Sequence, residues 1–438
     1  MRKPQIDMSI FKSRRQQLAS ELQGSALIVA AHPEHIRNHD VEHSYRQDTN
    51  LFYLTGFEEP ESILIYRPGL IPETVMFCRR RDPEMETWNG FRYGPEGVVN
   101  NFQIDQAYPI DEFEKVAPQL LHQVEKVFYR LFKNKHADEL VQSVLEKTRK
   151  IVGRSGYGLL PIYDADTLIG ESRLYKSDYE ADVLRKACDI SAEGHIDAMK
   201  YTRPGVNERQ VQAILAHRFL MNGATREGYN YIVASGNSAT TLHYNFNDQV
   251  CQDGDLLLID AGAEYQYYTG DITRTFPVNG QFTKPQEKVY QGVLTIQKHL
   301  IEMVKPGVLF KEFHDTATSM LTDLMLELGL FIGRKEDLIQ ANKHRKYYPH
   351  GAGHWLGMDV HDAGLYLKNG EPRPIEKGMC FTIEPGLYIP IDDMSAPEQL
   401  RGIGVRIEDN ILVTANGYEN MSAKAPKEIA DLEKIIGK

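Results

Sequence analysis

One piece of syntax occurs twice in this chain: a long helix, a basic-Pro-Gly-Val break, and a second helix. Ser177 opens the first helix with Glu180 three positions on, the pattern of a capping box. That helix runs to about residue 200, breaks at Arg203-Pro204-Gly205-Val206, and gives way to a second helix opened by Asn207 with Gln210 and closed at Gly223. Further on, a helix over about 285–304 breaks at Lys305-Pro306-Gly307-Val308, and its companion spans about 310–329. Proline lacks the N–H that a helix interior needs and glycine admits the reversed backbone, so the tetrapeptide is a helix stop. The two breaks lie 102 residues apart and each pair of helices precedes strand-like segments, which points to an internal duplication.

The region before this duplication reads differently. Residues 9–23 place apolar positions Ile10, Phe11, Leu18 and Leu22 on a helix stopped at Gly24. Buried-strand patterns follow at 25–31, 62–68 and 74–80, and a helical stretch covers about 139–152. This predicts an N-terminal α/β domain over 1–174, with the boundary near Arg173–Lys176, and a second domain over 175–438. The length of 438 residues suits two to three domains with cores of their own.

Charge and cysteine usage exclude several classes of function. Lys plus Arg total 50 against 61 Asp plus Glu, a net charge of -11, which argues against a nucleic-acid surface. The basic clusters Arg79-Arg80-Arg81 and His344-Arg345-Lys346 then read as solvated faces. Cys78, Cys188, Cys251 and Cys380 form neither a CxxC pair nor a disulfide pattern, as expected of free thiols in a reducing cytosol. The N-terminus lacks the apolar stretch of a signal peptide, and no segment approaches the roughly 18 apolar residues of a membrane span. A cytoplasmic protein without membrane partners is the expectation.

Carboxylates stand where a buried strand should be apolar. Residues 253–280 read as two strands joined by a turn. With the turn centred on Tyr265 and Gln266, Asp260 and Asp271 lie directly opposite each other, their Cβ atoms about 4.5–5.5 Å apart. Ordinary edge acids would explain them, but the apolar run 256–259 implies a strand covered on both faces. Two carboxylates so placed repel each other unless a polyvalent cation joins them. Glu384 ends another apolar strand before a Pro-Gly turn, and Glu408 lies within an apolar strand where an unpaired carboxylate is expensive. Arg406, two residues earlier on the same face, offers Glu408 an ordinary ion pair. His350, His354 and His361 fall within twelve residues, among Gly351, Gly353 and Gly357, and His243 sits in a loop of small polar residues. An oxygen-rich set with one or two imidazoles suits ions such as Mn(II) rather than a thiolate-type zinc site.

At these residues the chain resembles the pita-bread metallopeptidases, and within them the aminopeptidase P family. The resemblance runs through RQDTNLFYLTGFEEPES (46–62), IDAGAEYQYYTGDITRTFPVNG, HGAGHWLGMDVHDAG, TIEPGLYI and RGIGVRIEDNILVT, in order, over almost the whole chain. It implies a pseudo-twofold α/β/α catalytic domain, which would account for the duplication. It implies two divalent ions, usually manganese: Asp260 on one, His354 and Glu384 on the other, Asp271 and Glu408 bridging both. His243, His350 and His361 match substrate-binding and proton-handling histidines, Arg406 an arginine supporting the cluster, and Tyr388 a substrate contact. The implied reaction is release of the first residue from peptides with proline second. A hydroxide between the metals would attack the X–Pro carbonyl, with His361 or His243 at the oxyanion and Glu384 relaying the proton. A dipeptidase of the same fold is the nearest alternative, and a non-catalytic peptide-binding pita-bread module a remote one. A homo-oligomer is expected, with the N-terminal domain serving assembly or limiting access of long peptides. Trp88, in a polar WNGFRYG segment, is open to reading as core, subunit contact or substrate rim.

Overall fold

The computed structural model describes residues 6–156 and 158–437 and divides into two compact units, Met1–Ser172 and Arg173–Lys438. The first is built on a six-stranded mixed sheet. In chain order its strands are β1 (Ser25–Ala30), β2 (Ile63–Tyr66), β3 (Thr74–Cys78), β4 (Gln106–Pro109), β5 (Lys126–Phe128) and β6 (Ile162–Tyr163), and across the sheet they run β4-β3-β2-β1-β5-β6. The three apolar patterns seen in the sequence are its central strands, and every residue of β2 and β3 is buried. Two amphipathic helices, Phe113–Leu121 and Lys135–Val152, bring Phe113, Leu121, Val141 and Val144 into the same core. The second begins four residues earlier than its apolar pattern suggests because Asn134 caps it, accepting from the Ala137 amide.

In the second unit the two helix pairs are α1 (Asp178–Tyr201) with α2 (Glu208–Met221), and α3 (Lys284–Glu302) with α4 (Phe310–Glu327). The capping boxes at Ser177 and Asn207 form, and Thr283 with Gln286 makes a third. Both breaks use the same device. Gly205 and Gly307 adopt φ of +89° and +96°, a conformation that glycine takes without a Cβ penalty. The Gly205 amide donates to the Cys251 carbonyl and the Cys251 amide donates back to Val206; Gly307 and Val308 make the same exchange with Ile375. Duplicated sequence thus yields duplicated hydrogen bonding.

Each half also contributes a bent hairpin. The first contains β7 (Leu256–Asp260), β8 (Ala263–Tyr265), β9 (Tyr268–Thr269) and β10 (Thr273–Pro277). The second contains β11 (Cys380–Ile383), β12 (Gly386–Ile389), β13 (Ile403–Arg406) and β14 (Asp409–Val413). Val211, Leu215 and Phe219 of α2, with Val289, Val293 and Leu300 of α3, pack in one core with Leu257, Ile259, Val405 and Ile411 of the strands. Each such side chain contributes roughly 1.5–3 kcal/mol on burial, so this core supplies the rigid support for whatever the hairpins carry. The hairpins meet where the Glu408 amide donates to the Thr273 carbonyl at 3.1 Å and the Thr275 hydroxyl donates to the Arg406 carbonyl at 2.9 Å.

Among the described residues no helix is long and apolar enough to cross a membrane. All four cysteines are free and buried. Trp88 is 80% exposed on a helix, Pro83–Asn89, that buries no residue, which removes the core reading.

Candidate active site

The acids collect where the hairpins break. β7 pairs with β10 and β8 with β9, leaving 261–262 and 270–272 between the paired stretches; β11 pairs with β14 and β12 with β13, leaving 384–385 and 407–408. Asp260 ends β7, while Asp271, Glu384 and Glu408 lie in the gaps between the paired stretches. Glu408 is therefore not inside a strand, as its apolar surroundings suggested.

The turn of the first hairpin corrects a second expectation. Its central residues are Gln266 and Tyr267, both with positive φ (48° and 71°), not Tyr265 and Gln266. Two-residue hairpin turns of this kind match the twist of the strands. Moving the centre by one residue moves every partner by two, so Asp260 faces Thr273 and has Asp271 as a diagonal neighbour on the same face. In the second hairpin Ile383 pairs with Asp409 and Gly386 with Arg406, a register that sets Glu384 directly opposite Glu408.

Side chains between the carboxylates complete the cluster. The Tyr229 hydroxyl lies 2.6 Å from Asp260 Oδ1 and 2.5 Å from Asp271 Oδ1, sharing one proton between two acids. Arg406 donates from Nη2 to Asp260 Oδ2 at 2.6 Å, from Nη1 to the Tyr388 hydroxyl at 3.0 Å, and from Nε to the Thr273 hydroxyl at 3.1 Å. Thr273 in turn donates to Glu408 Oε2 at 2.6 Å. Arg406 thus pairs with Asp260 and reaches Glu408 through Thr273, rather than forming the local Arg–Glu pair that the sequence offered. Asn410 holds the gap at Asp271 from both sides, accepting from its amide at 2.8 Å and donating to its carbonyl. Arg274, wholly buried, donates to the Glu408 carbonyl and to Asp409, so the backbone of Glu408 is clamped by an internal ion pair.

The histidines divide by position. His354 donates from Nδ1 to the Trp355 carbonyl at 3.0 Å, leaving Nε2 3.4 Å from Asp271 and 3.5 Å from Glu384. A second nitrogen tied to a backbone carbonyl is how a metal-binding imidazole is held. His361 lies edge-on to the His354 ring, centroids 4.3 Å apart, and His243 is exposed on the loop after the turn Gly236–Thr240. His350 has both nitrogens occupied, Nδ1 donating to Gly351 at 2.7 Å and Nε2 accepting from Tyr388 at 2.8 Å. Tyr388, expected against substrate, instead stands buried behind His350, its hydroxyl already spent on Arg406 and His350. Of the three glycines in this segment, two answer to close approach: a Cβ at Gly353 would stand 1.8 Å from the Thr382 carbonyl oxygen and one at Gly357 2.1 Å from Asp362.

These groups line a cavity of about 520 Å³, with the four acids, His354 and Arg406 among its walls and His243, His350 and His361 around them. Burial, reinforced by Asp271, Glu384 and Asp260, pushes the Glu408 carboxyl well above the ordinary range. Burial also pushes Glu384 up to about 7, against the opposing pull of His354 and Arg406. Burial alone would push His354 down, but its hydrogen bond to Asp271 and the charge of Glu384 raise it to about 9. His350 falls to about 3, through burial and the charge of Arg406. Four clustered carboxylates therefore face Arg406 and one imidazole, and the cluster is short of positive charge. Asp271, His354 and Glu408 can bring one ligand atom each within 4.8 Å of one another, so the donors fit a divalent cation in the place that the His354 proton takes.

Tyr229, Thr273, Asn410 and the Arg274–Asp409 pair escaped the sequence reading. The chain has 23 tyrosines, and nothing local marks one as bridging two acids far downstream.

Comparison with known proteins shows the family. Residues 182–415 match the model of metallopeptidase family M24, and residues 11–129 match the aminopeptidase P N-terminal domain. A Xaa-Pro aminopeptidase of Haemophilus influenzae is 40% identical over 97% of this chain and 96% of its own. The structure of an aminopeptidase from Pseudomonas aeruginosa superposes with a TM-score of 0.95 at 41% identity, covering 99% of this chain and 98% of that one. Zinc-substituted aminopeptidase P of Escherichia coli in complex with product gives 0.93 at 39% identity, covering 98% of each chain. With its carboxylate–imidazole cluster carried by the two broken hairpins of a duplicated α/β domain, the chain belongs to metallopeptidase family M24, the pita-bread fold, in its aminopeptidase P branch.

Proposed function

We propose that this metallopeptidase is a Xaa-Pro aminopeptidase, releasing the first residue from peptides whose second residue is proline. The observation that carries the reading is the set of four acids and one imidazole, with Nε2 turned inward, in a 520 Å³ cavity. Asp260 would hold one divalent ion, His354 and Glu384 another, and Asp271 and Glu408 both. The oxygen-rich donor set suits Mn(II). Two such ions, when bound, supply a nucleophile from water near neutral pH and polarise the substrate carbonyl.

The chain's own groups meet the remaining demands of the substrate. An X–Pro bond is a tertiary amide, and its nitrogen departs only after gaining a proton. Glu384, which lines the cavity, would take up that proton and hand it over. His243 and His361 offer ring N–H groups to the carbonyl oxygen as it gains charge. His350, neutral and bonded at both nitrogens, serves as a fixed wall for the proline ring. Arg406 orients Asp260, and Tyr388 acts through His350 and Arg406.

The test is an X-Pro-X tripeptide with metal analysis. Release of the first residue is expected, abolished by chelation and restored by Mn(II), with two ions per chain. Glu408→Ala is expected to lose both turnover and metal. Cleavage of X-Pro dipeptides alone would make the protein a dipeptidase, and full activity under chelation would overturn the reading. We also propose a cytoplasmic homo-oligomer, supported by buried free thiols and by the exposed Trp88, with light scattering as the measure of assembly.

A further inference from the structure

His361 is held in place differently from its neighbours in the site. Among the described residues its ring nitrogens make no hydrogen bond, and its close contact is the His354 ring, edge-on with centroids 4.3 Å apart. Its position therefore depends on the loop that carries it, residues 357–362. Backbone bonds tie this loop to both hairpins. The Gly357 carbonyl accepts from the Thr269 amide of β9 at 2.9 Å, and the Leu356 amide donates to the Cys380 carbonyl of β11 at 2.9 Å.

The loop is closed by an ion cluster that the proposed reaction does not use. Arg173 donates from Nη2 to Asp359 Oδ2 at 2.7 Å and to Asp362 Oδ1, and Lys176 Nζ donates to Asp362 Oδ2 at 3.0 Å. The side chains of Arg173, Lys176 and Asp362 are only 4%, 1% and 1% exposed. Two acids balance two bases, the condition under which such charges can be buried. A Cβ at Gly357 would stand 2.1 Å from Asp362 Oδ2 and 3.1 Å from Lys176 Cε, so the glycine makes room for the pair. The Lys176 amide donates to the Gly378 carbonyl at 2.8 Å, which ties the basic side of the cluster to the segment entering β11 and Glu384. Buried ion pairs add little net stability over apolar packing, but their geometry is directional.

We propose that Asp362 is the positioning residue for His361: held by Arg173 and Lys176, it fixes the loop so that the adjacent imidazole stands at the substrate carbonyl oxygen. The assignment rests on the X-Pro reading above and on the place given there to His361.

The experiment measures hydrolysis of Ala-Pro-Ala by the Mn(II)-loaded enzyme in Asp362→Asn, in His361→Ala and in the double variant. Asp362→Asn keeps the side-chain shape and removes its charge. It is expected to lower kcat by about tenfold to a hundredfold, the scale of a small misplacement, with KM within about twofold and Mn(II) content unchanged. In the His361→Ala background the same change should have no further effect, because the group it positions is already gone. Lys176→Gln should repeat the pattern with a smaller loss, so the result does not depend on one variant folding. Full kcat in Asp362→Asn, loss of its metal, or losses that multiply in the double variant would overturn the assignment and leave the X-Pro reading standing. Full kcat in His361→Ala would also overturn it. No cleavage by the unmodified enzyme overturns the X-Pro reading itself.

Discussion

At the scale of single residues, Tyr229 carries the most consequence for its size. Its hydroxyl is the hydrogen-bond donor common to Asp260 and Asp271, so it sets the angle at which two proposed ligands face the cavity. Tyr229→Phe is expected to fold and to weaken Mn(II) binding by about tenfold, the usual effect of losing an outer hydrogen bond to a ligand, as measured by calorimetry. Protonation gives a second prediction. Glu384 rises in the fold from 4.5 to about 7, so its contribution to apoprotein stability is complete below about pH 4.5 and is lost as pH climbs through 7. His354 rises from 6.5 to about 9, so its contribution is complete below about pH 6.5 and is lost through 9. Both groups must shed protons to bind a cation. Mn(II) affinity should therefore rise with pH across this window, with more than one proton released per chain at pH 6, read from the buffer dependence of the binding heat. Affinity without pH dependence or proton release would remove these residues as the site.

At the scale of elements, the register of each hairpin carries across its gap. Asp271 therefore lies diagonal to Asp260 and Glu384 opposite Glu408, and acids from four segments meet in one place. The price is paid in substitutes for the missing ladder: Asn410 at Asp271, and Arg274 with Asp409 at Glu408. Asp409→Ala should cost about 3–5 kcal/mol in denaturant unfolding, because it leaves Arg274 buried without its counter-ion. The repeated breaks predict a smaller effect. Ala at Gly205 or at Gly307 should each cost about 1–2 kcal/mol, since both positions require positive φ.

At the scale of the whole molecule, every proposed metal ligand falls within Arg173–Lys438 and none within Met1–Ser172. Metal should therefore stabilise the catalytic unit by mass action, about 2.7 kcal/mol when the ion is at a hundredfold its dissociation constant. Trp355 is wholly buried in that unit, while Trp88, the other tryptophan, is exposed in the first. In a Trp88→Phe background, chelation should lower the melting temperature reported by Trp355 fluorescence. An unchanged transition would place the metal elsewhere.

Much of this was legible along the chain. The helix breaks, the capping boxes and the buried strands depend on local rules, and the structure carries them at the positions those rules indicate. The acids were conspicuous because a carboxylate in an apolar run is anomalous wherever the run folds. Which acids face one another was not legible, because a turn centred one residue away changes every partner. Nor were the roles of Tyr229, Thr273 and Asn410, ordinary polar residues whose partners lie 31 to 139 positions away. Sequence by itself determined the duplication, the two-unit plan and the candidate ligands, since propensity, capping and hydrophobic period act over a few residues. Only the tertiary structure decided how the hairpins break and which side chains join the carboxylates, since those depend on segments that meet only in the folded chain.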